Sequence, residues 1–358
     1  CKKFENSFSN FQRTKFSAMV SNGSSANLGL IQSLINLGRL KIGDKIAFSA
    51  VTWSTNVMPL IQLGFNPVPI DADLNTLNIS SETFKKTLSE HKDIKALFVT
   101  NILGFSSDLN EINKICEDEK IILFEDNCES LGSELNHHKL GNFGVASTCS
   151  FFVGHHLSTI EGGIISTDDE DIYEMSKLVR AHGWNRDLND KKKKELTEKY
   201  KVNSFEDAYT FYEIALNIRP TEISGFIGNQ QIPLLEESIK SREKNYHLFR
   251  SIISKKENYY NIFNENLTLV SNMAFPVLAK NRDKFLTARN IFEKEGVEIR
   301  PIVAGNMIRQ PFFKKLFPHI NTILPNADKI HDCGFYFPNN SELTAEDLEL
   351  LSNLLNSL

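Results

Sequence analysis

Three short stretches gather side chains able to move protons or hold anions. The first runs Ser150-Phe151-Phe152-Val153-Gly154-His155-His156 and continues to Glu161-Gly162-Gly163. Imidazole titrates near neutral pH, so a histidine at the end of an apolar run can take up and return a proton. A bare pair is more often satisfied inside a fold than catalytic, and without HxxxH spacing it argues against zinc. The second stretch, Phe124-Glu125-Asp126-Asn127-Cys128-Glu129, places acids after an apolar run. A carboxylate there can pair with a protonated ring nitrogen and make a pyridine ring an electron sink, or it can cap a helix. The third, Val20-Ser21-Asn22-Gly23-Ser24-Ser25-Ala26-Asn27, has a glycine and hydroxyls at a helix start. Backbone N–H groups and hydroxyls at such a start can hold a phosphate, although Ser24 can equally be an N-cap.

Each stretch needs a strand before it, and the pattern supplies one. Apolar runs predict strands at 16–21, 45–49, 68–70, 96–100, 121–125, 147–152 and 163–167, with helices at 25–37, 55–63, 82–91 and 108–118 between them. Such alternation predicts an α/β fold with a mostly parallel sheet, whose ligands lie beyond the C-terminal strand ends. A long amphipathic helix over 234–253 leads into a smaller αβ portion containing 275–278 and 297–301. The expected division is a large domain over 1–238 and a small one over 239–358. The lysine run at 191–194 is followed by interspersed acids and reads as a solvated face.

Bulk properties exclude other classes. With 358 residues, 41% hydrophobic and 24% charged, the chain is an ordinary globular protein. A formal charge of −5 offers nothing to nucleic acid or an anionic membrane, and no apolar run reaches the roughly 18 residues of a span. Five scattered cysteines without CxxC spacing predict reduced thiols in a cytoplasm. The chain opens at Cys1 within a charged helical stretch, Lys2-Lys3-Phe4-Glu5, which predicts a segment preceding it.

Taken together and in order, the three stretches resemble the DegT/DnrJ/StrS family of pyridoxal-phosphate sugar aminotransferases. The likeness extends over nearly the whole chain, through Val51-Thr52-Trp53-Ser54-Thr55, Arg180-Ala181-His182-Gly183-Trp184, Asn217-Ile218-Arg219-Pro220 with Glu222 and Gly225, and Gly296-Val297-Glu298-Ile299-Arg300-Pro301. It implies the type I aminotransferase fold with pyridoxal 5'-phosphate as cofactor. It also implies phosphate contacts from Gly23, Ser24, Ser25 and Ser150, stacking of Trp53 on the pyridine ring, and Asp126 at the ring nitrogen. Asn217 resembles the residue that reaches a phosphate in the neighbouring subunit's site, which implies a homodimer with shared sites. Arg219 would bind the amino donor's carboxylate or the substrate across the same interface.

Five residues after Ser150 the family carries its Schiff-base lysine, and here that position is His155. An imidazole cannot form the covalent link, so ordinary transamination is lost. The exchange, with Ser-Ser-Ala-Asn and Asp-Asn-Cys-Glu, resembles the 4-keto-6-deoxysugar 3-dehydratases, in which Glu129 would bond the cofactor's ring hydroxyl. One branch, acting on CDP sugars, holds a [2Fe–2S] cluster on four C-terminal cysteines. The chain has only Cys333 after residue 149 and matches the cluster-free branch acting on GDP-4-keto-6-deoxymannose in colitose synthesis. Gly154 departs from the serine expected beside the histidine. The implied activity takes an amino group from L-glutamate to give pyridoxamine 5'-phosphate, uses His155 as acid and base, and leaves His156 structural. A relative acting on another nucleotide sugar and a catalytically silent cofactor-binding protein remain the alternatives.

Overall fold

Short runs of β-branched and aromatic residues alternate with amphipathic stretches, and the chain folds them into a sheet wrapped by helices. The computed structural model describes residues 1–358. Its main sheet contains β1 (Phe16–Val20), β2 (Lys45–Ser49), β3 (Asn66–Ile70), β4 (Ile94–Thr100) and β5 (Ile122–Asp126). After a small hairpin of β6 (Glu134–Leu135) and β7 (His138–Lys139), it is completed by β8 (Ser147–Ser150) and β9 (Gly163–Thr167). The order is β1-β9-β8-β5-β4-β2-β3. Strands β3, β2, β4, β5 and β8 are parallel, and only β9 runs against its neighbours. Val20, Ser49, Thr100, Asp126 and Ser150 therefore end at one edge.

Both faces of this sheet are covered, so its strands read as nearly continuous apolar runs. The alternation persists inside β4: Phe98 joins one apolar cluster with Phe48 and Phe124, while Leu97 and Val99 join another with Val68 and Leu123. The covering helices are α1 (Lys2–Gln12), α2 (Gly23–Asn36), α3 (Met58–Gln62), α4 (Ser81–Glu90), α5 (Leu109–Glu119) and α6 (Glu170–Arg180). Helix α1 packs Phe4 and Phe8 edge-on against Phe151, with ring centroids 5.1 and 5.2 Å apart. That contact anchors the backbone where β8 ends. The buried Glu5 of α1 also accepts hydrogen bonds from Arg180 of α6 at 2.6 Å and from the Met19 amide at 2.8 Å.

Several expected elements have shifted bounds, and two of the shifts have a local cause. The helix expected over 55–63 splits into a 3₁₀ turn at Ser54–Asn56 and α3, because Pro59 has no N–H to give the Thr55 carbonyl. The freed carbonyl accepts from Asn27 Nδ2 at 3.3 Å. Strand β8 stops at Ser150 rather than 152, since its partner β9 begins at Gly163 opposite Ser150.

Helices α7 (Asp190–Tyr200), α8 (Glu222–Gln231) and α9 (Leu235–Ile253) follow, and α7 buries no residue, as the solvated-face reading expects. Strand β10 (Leu267–Leu269) then joins the β6–β7 hairpin. The remaining chain forms β11 (Ala274–Leu278), α10 (Arg282–Lys294), β12 (Arg300–Pro301), α11 (Pro311–Leu316), α12 (Pro325–Cys333), β13 (Gly334–Pro338) and α13 (Ala345–Ser357). Its three-stranded sheet has the order β11-β13-β12. Phe249 of α9 packs with Phe275 and Phe337 at centroid distances of 5.4 and 5.2 Å. Ala50, Leu103 and Phe105, from loops at the strand-end edge, belong to the same core. The two sheets thus share packing across the crevice between them.

Candidate active site

Helix α2 begins where its cap dictates. Asn22, extended at φ −167° and ψ 174°, accepts a hydrogen bond from the Ser25 amide at 2.8 Å. The N-cap is Asn22 and not Ser24, so the Ser24 hydroxyl is not used to start the helix. Ser21 Oγ donates to Ser25 Oγ at 2.9 Å, and the Ser21 amide donates to the Ile218 carbonyl at 2.8 Å. Glycine is needed twice to bring this start onto the sheet edge. A Cβ on Gly23 would lie 2.6 Å from the Cβ of Ser150, and one on Gly163 would lie 2.2 Å from the Asn22 carbonyl oxygen. Gly23 consequently stands against Ser150, with Ser24 and Ser25 following it in the first turn of a 14-residue helix. Free amides, hydroxyls and the positive helix end make a cradle for an anion.

Asp126 closes β5 and is 4% exposed. Three N–H donors converge on its carboxylate. Asn27 Nδ2 and Asn56 Nδ2 donate to Oδ2 at 2.9 and 2.7 Å, and the Cys128 amide donates to Oδ1 at 2.9 Å. Thr148 Oγ1 donates to Asn27 Oδ1 at 2.5 Å, which fixes the way that amide faces. The cluster links α2, the turn before α3, β5 and β8, and no helix starts at Asp126. Asn27 was legible as a polar residue on the face that buries Leu30, Ile31 and Leu34, at helical spacing. Asn56 and Thr148 carry no such signal.

Glu129 accepts from the Leu103 amide at 3.0 Å. Burial pushes its carboxyl up to about 7, the Leu103 bond opposes this, and the Asp126 charge adds to it. Trp53, in the loop after β2, leaves 54% of its surface open at the sheet edge. An indole face left bare beside polar groups is suited to stacking on a flat ring.

His155 lies on the loop after β8. Burial pulls its imidazole down to about 4; the Asp126 charge opposes that shift, and the Arg242 charge reinforces it. Its Nδ1 is sealed and has no partner, which leaves Nε2 as the nitrogen open to the cavity. The adjacent His156 points elsewhere: its Nε2 meets the Ser271 carbonyl at 2.8 Å inside the protein. It is buried with Nε2 occupied, so that neither ring nitrogen is free to reach the cavity, although its Nδ1 has no partner.

His155 also borders a cavity of about 480 Å³ between the 153–158 loop, α9 and the three-stranded sheet. Arg242, Glu298, Arg300 and Tyr336 share its wall, and sequence reasoning singled out none of the four as site residues. Arg242 Nη1 donates to the Asn339 and Met273 carbonyls, tying α9 to the second sheet. Asn217 and Arg219 lie apart. Ile218 between them bonds the Ser21 amide, yet both side chains are exposed and Arg219 Nε donates to Asn217 Oδ1 at 3.1 Å. Neither lines this chain's own cavity.

Against known proteins, the model of the DegT/DnrJ/EryC1/StrS aminotransferase family matches residues 1–355. The chain is 36% identical to GDP-4-keto-6-deoxy-D-mannose 3-dehydratase of Escherichia coli O55:H7, over 99% of this chain and 91% of that one. Among solved structures it is similar to a GDP-4-keto-6-deoxymannose-3-dehydratase with a trapped PLP–glutamate adduct. The TM-score is 0.89 and the identity 34%, covering 99% of this chain and 92% of that one. It is also similar to a variant of such an enzyme with bound GDP-perosamine, with TM-score 0.89, 35% identity and the same coverage.

Proposed function

Since the chain belongs to the DegT/DnrJ/EryC1/StrS aminotransferase family, we propose that it is a nucleotide-sugar 3-dehydratase using pyridoxal and pyridoxamine 5'-phosphate. Its substrate is GDP-4-keto-6-deoxy-D-mannose, its amino donor is L-glutamate, which leaves as 2-oxoglutarate, and its other products are a 3,6-dideoxy-4-ketosugar and ammonia. The observation that carries this reading is His155, an imidazole with one nitrogen open to the cavity that feels the charge of Asp126, a carboxylate held by three N–H donors. Full-length likeness to 3-dehydratases, one with a PLP–glutamate adduct and one with a GDP-sugar, supports it.

The residues present fit the cofactor. Gly23 leaves clear the space over Ser150 that a side chain would fill, and the α2 amides face it. Gly23, Ser24, Ser25 and Ser150 would hold the phosphate, Trp53 the ring face, Asp126 the ring nitrogen and Glu129 the ring hydroxyl. Bound there, the cofactor supplies an amino group for the C4 ketone and a ring that takes up electron density as the C3 hydroxyl leaves. His155 is unprotonated near neutral pH and accepts a proton beside that ring. Having collected the proton, it can return it to the departing hydroxyl, which is otherwise a poor leaving group.

A homodimer completes the site in this reading. Asn217 and Arg219 would serve the partner's cofactor phosphate and the donor's carboxylate or the substrate, and exposed apolar side chains near them, Ile214 at 76% and Phe226 at 66%, support burial by a second copy. Residues 1–238 would form the cofactor-holding domain and 239–358 the smaller domain closing the crevice. Five free cysteines support a cytoplasmic setting, and no helix is long and apolar enough to cross a membrane. The test is a titration of purified protein with pyridoxal phosphate, glutamate and a panel of 4-ketosugar nucleotides. Glutamate should convert the cofactor's absorption to the amine form, and only 4-keto-6-deoxy substrates should restore it with release of ammonia. Transfer of nitrogen to the sugar would show an aminotransferase and refute the reading.

A further inference from the structure

The part of the cavity wall built by the three-stranded sheet is sorted by strand alternation. On β13, Phe335 and Phe337 turn into the apolar core, so Tyr336 between them faces the crevice. Arg300 of β12 is its Cα partner across the antiparallel pair. Cross-strand partners stand close enough for long side chains to meet. Arg300 is itself paired, although both partners are exposed: Nε and Nη2 donate to Glu298 Oε1 at 2.8 and 2.5 Å. Glu298, Arg300, Tyr336 and His155 all line the one cavity.

Two features say what this wall can hold. Its charges cancel, Arg242 and Arg300 against Glu298 and Glu342, and serines, a glutamine and an asparagine make up most of the other polar lining. A balanced, hydroxyl-rich and amide-rich wall fits an uncharged polyhydroxy group better than a diphosphate, which would need net positive charge. The phenol is also kept as a donor. Burial pushes its pKa up, the Glu129 charge from across the crevice pushes the same way, and Arg300 opposes both.

We infer that Tyr336 is a substrate-binding residue whose hydroxyl holds an oxygen of the substrate's hexose at His155, and that Arg300, paired with Glu298, is the positioning residue that orients the phenol. The inference rests on the nucleotide-sugar reading above and adds the residue that recognises the sugar. It is distinct from cofactor binding, because neither residue belongs to the Ser24, Ser150 and Asp126 cluster.

The experiment compares Tyr336→Phe with the wild type, both cofactor-loaded and full length, using GDP and GDP-mannose as calorimetric probes. One neutral hydrogen bond lost should weaken GDP-mannose by roughly 3- to 10-fold and leave GDP unchanged. The amino-transfer half-reaction with glutamate, followed by the cofactor's absorption, should also be unchanged. In turnover, Arg300→Gln should raise KM for the nucleotide sugar but not for glutamate, and should add little once Tyr336→Phe is in place, since it acts through the phenol. Equal binding of GDP-mannose by variant and wild type would overturn the inference, as would equal weakening of GDP and GDP-mannose. If the wild type binds another nucleotide and its hexose conjugate instead, the GDP part of the proposed function fails. The same comparison run with that pair then judges Tyr336 separately.

Discussion

At the scale of single residues, two neighbouring histidines with the same chemistry have opposite fates. His155→Asn should abolish dehydration while leaving cofactor affinity within about twofold, because the phosphate cradle and the Asp126 cluster are untouched. General acid–base participation is typically worth roughly 10²–10⁴ in rate, and one group serving two proton transfers belongs at the upper end. His156→Asn should cost little in rate and appear in the melting temperature instead, through its bond to Ser271. If His156→Asn is the slower enzyme, the roles are reversed. Glu129 permits a pH test on the cofactor-free protein. Its carboxyl is raised from 4.5 to about 7 in the fold, so the folded state holds a proton that the unfolded chain has lost. That contribution is complete below 4.5 and disappears as pH rises through about 7. Glu129→Gln should therefore melt higher than wild type at pH 8, with the gap closing at pH 5; an equal offset at both would refute the assignment. His155 acts in the opposite sense. Lowered from 6.5 to about 4, it withdraws stability as pH falls through that window.

At the scale of elements, the phosphate cradle depends on how closely β9 approaches the start of α2. Gly163→Ala would drive a Cβ to 2.2 Å from the Asn22 carbonyl, which is backbone and cannot swing aside. The loop must move, at a typical cost of about 1–3 kcal/mol in stability. Pyridoxal phosphate affinity, measured by fluorescence titration, should fall by roughly tenfold, since about 1.4 kcal/mol of lost contact corresponds to that factor. Gly154→Ala is the control: its added Cβ would come no nearer than 3.7 Å to the Phe152 ring, so affinity and melting temperature should hold. Equal effects of the two substitutions would mean that the cradle does not depend on this approach.

At the scale of the whole molecule, the proposed site is incomplete in one chain. Asn217 and Arg219 are exposed and do not line the cavity of their own subunit, while Ile218 between them is tied to Ser21 at the sheet edge. Asn217→Ala and His155→Ala chains, each impaired alone, should recover part of the activity when mixed and allowed to exchange. Statistical mixing should yield dimers with one intact site. No recovery in demonstrably mixed dimers would assign Asn217 to its own subunit's chemistry.

The sequence alone determined the alternation of strands and helices, the edge where functional groups collect, and the histidine in place of a lysine. These are local signals: strand and helix periods, caps and turns are written in neighbouring residues, which is why β2 and β9 lie where the pattern predicts them. Tertiary structure alone decided which polar residues meet. Asn27 and Asn56 reach Asp126 from 99 and 70 residues away, and Tyr336 meets His155's cavity from the far end of the chain. Enclosure likewise decided the charge state of His155, because desolvation is a property of everything packed around a ring and no stretch of neighbouring residues encodes it.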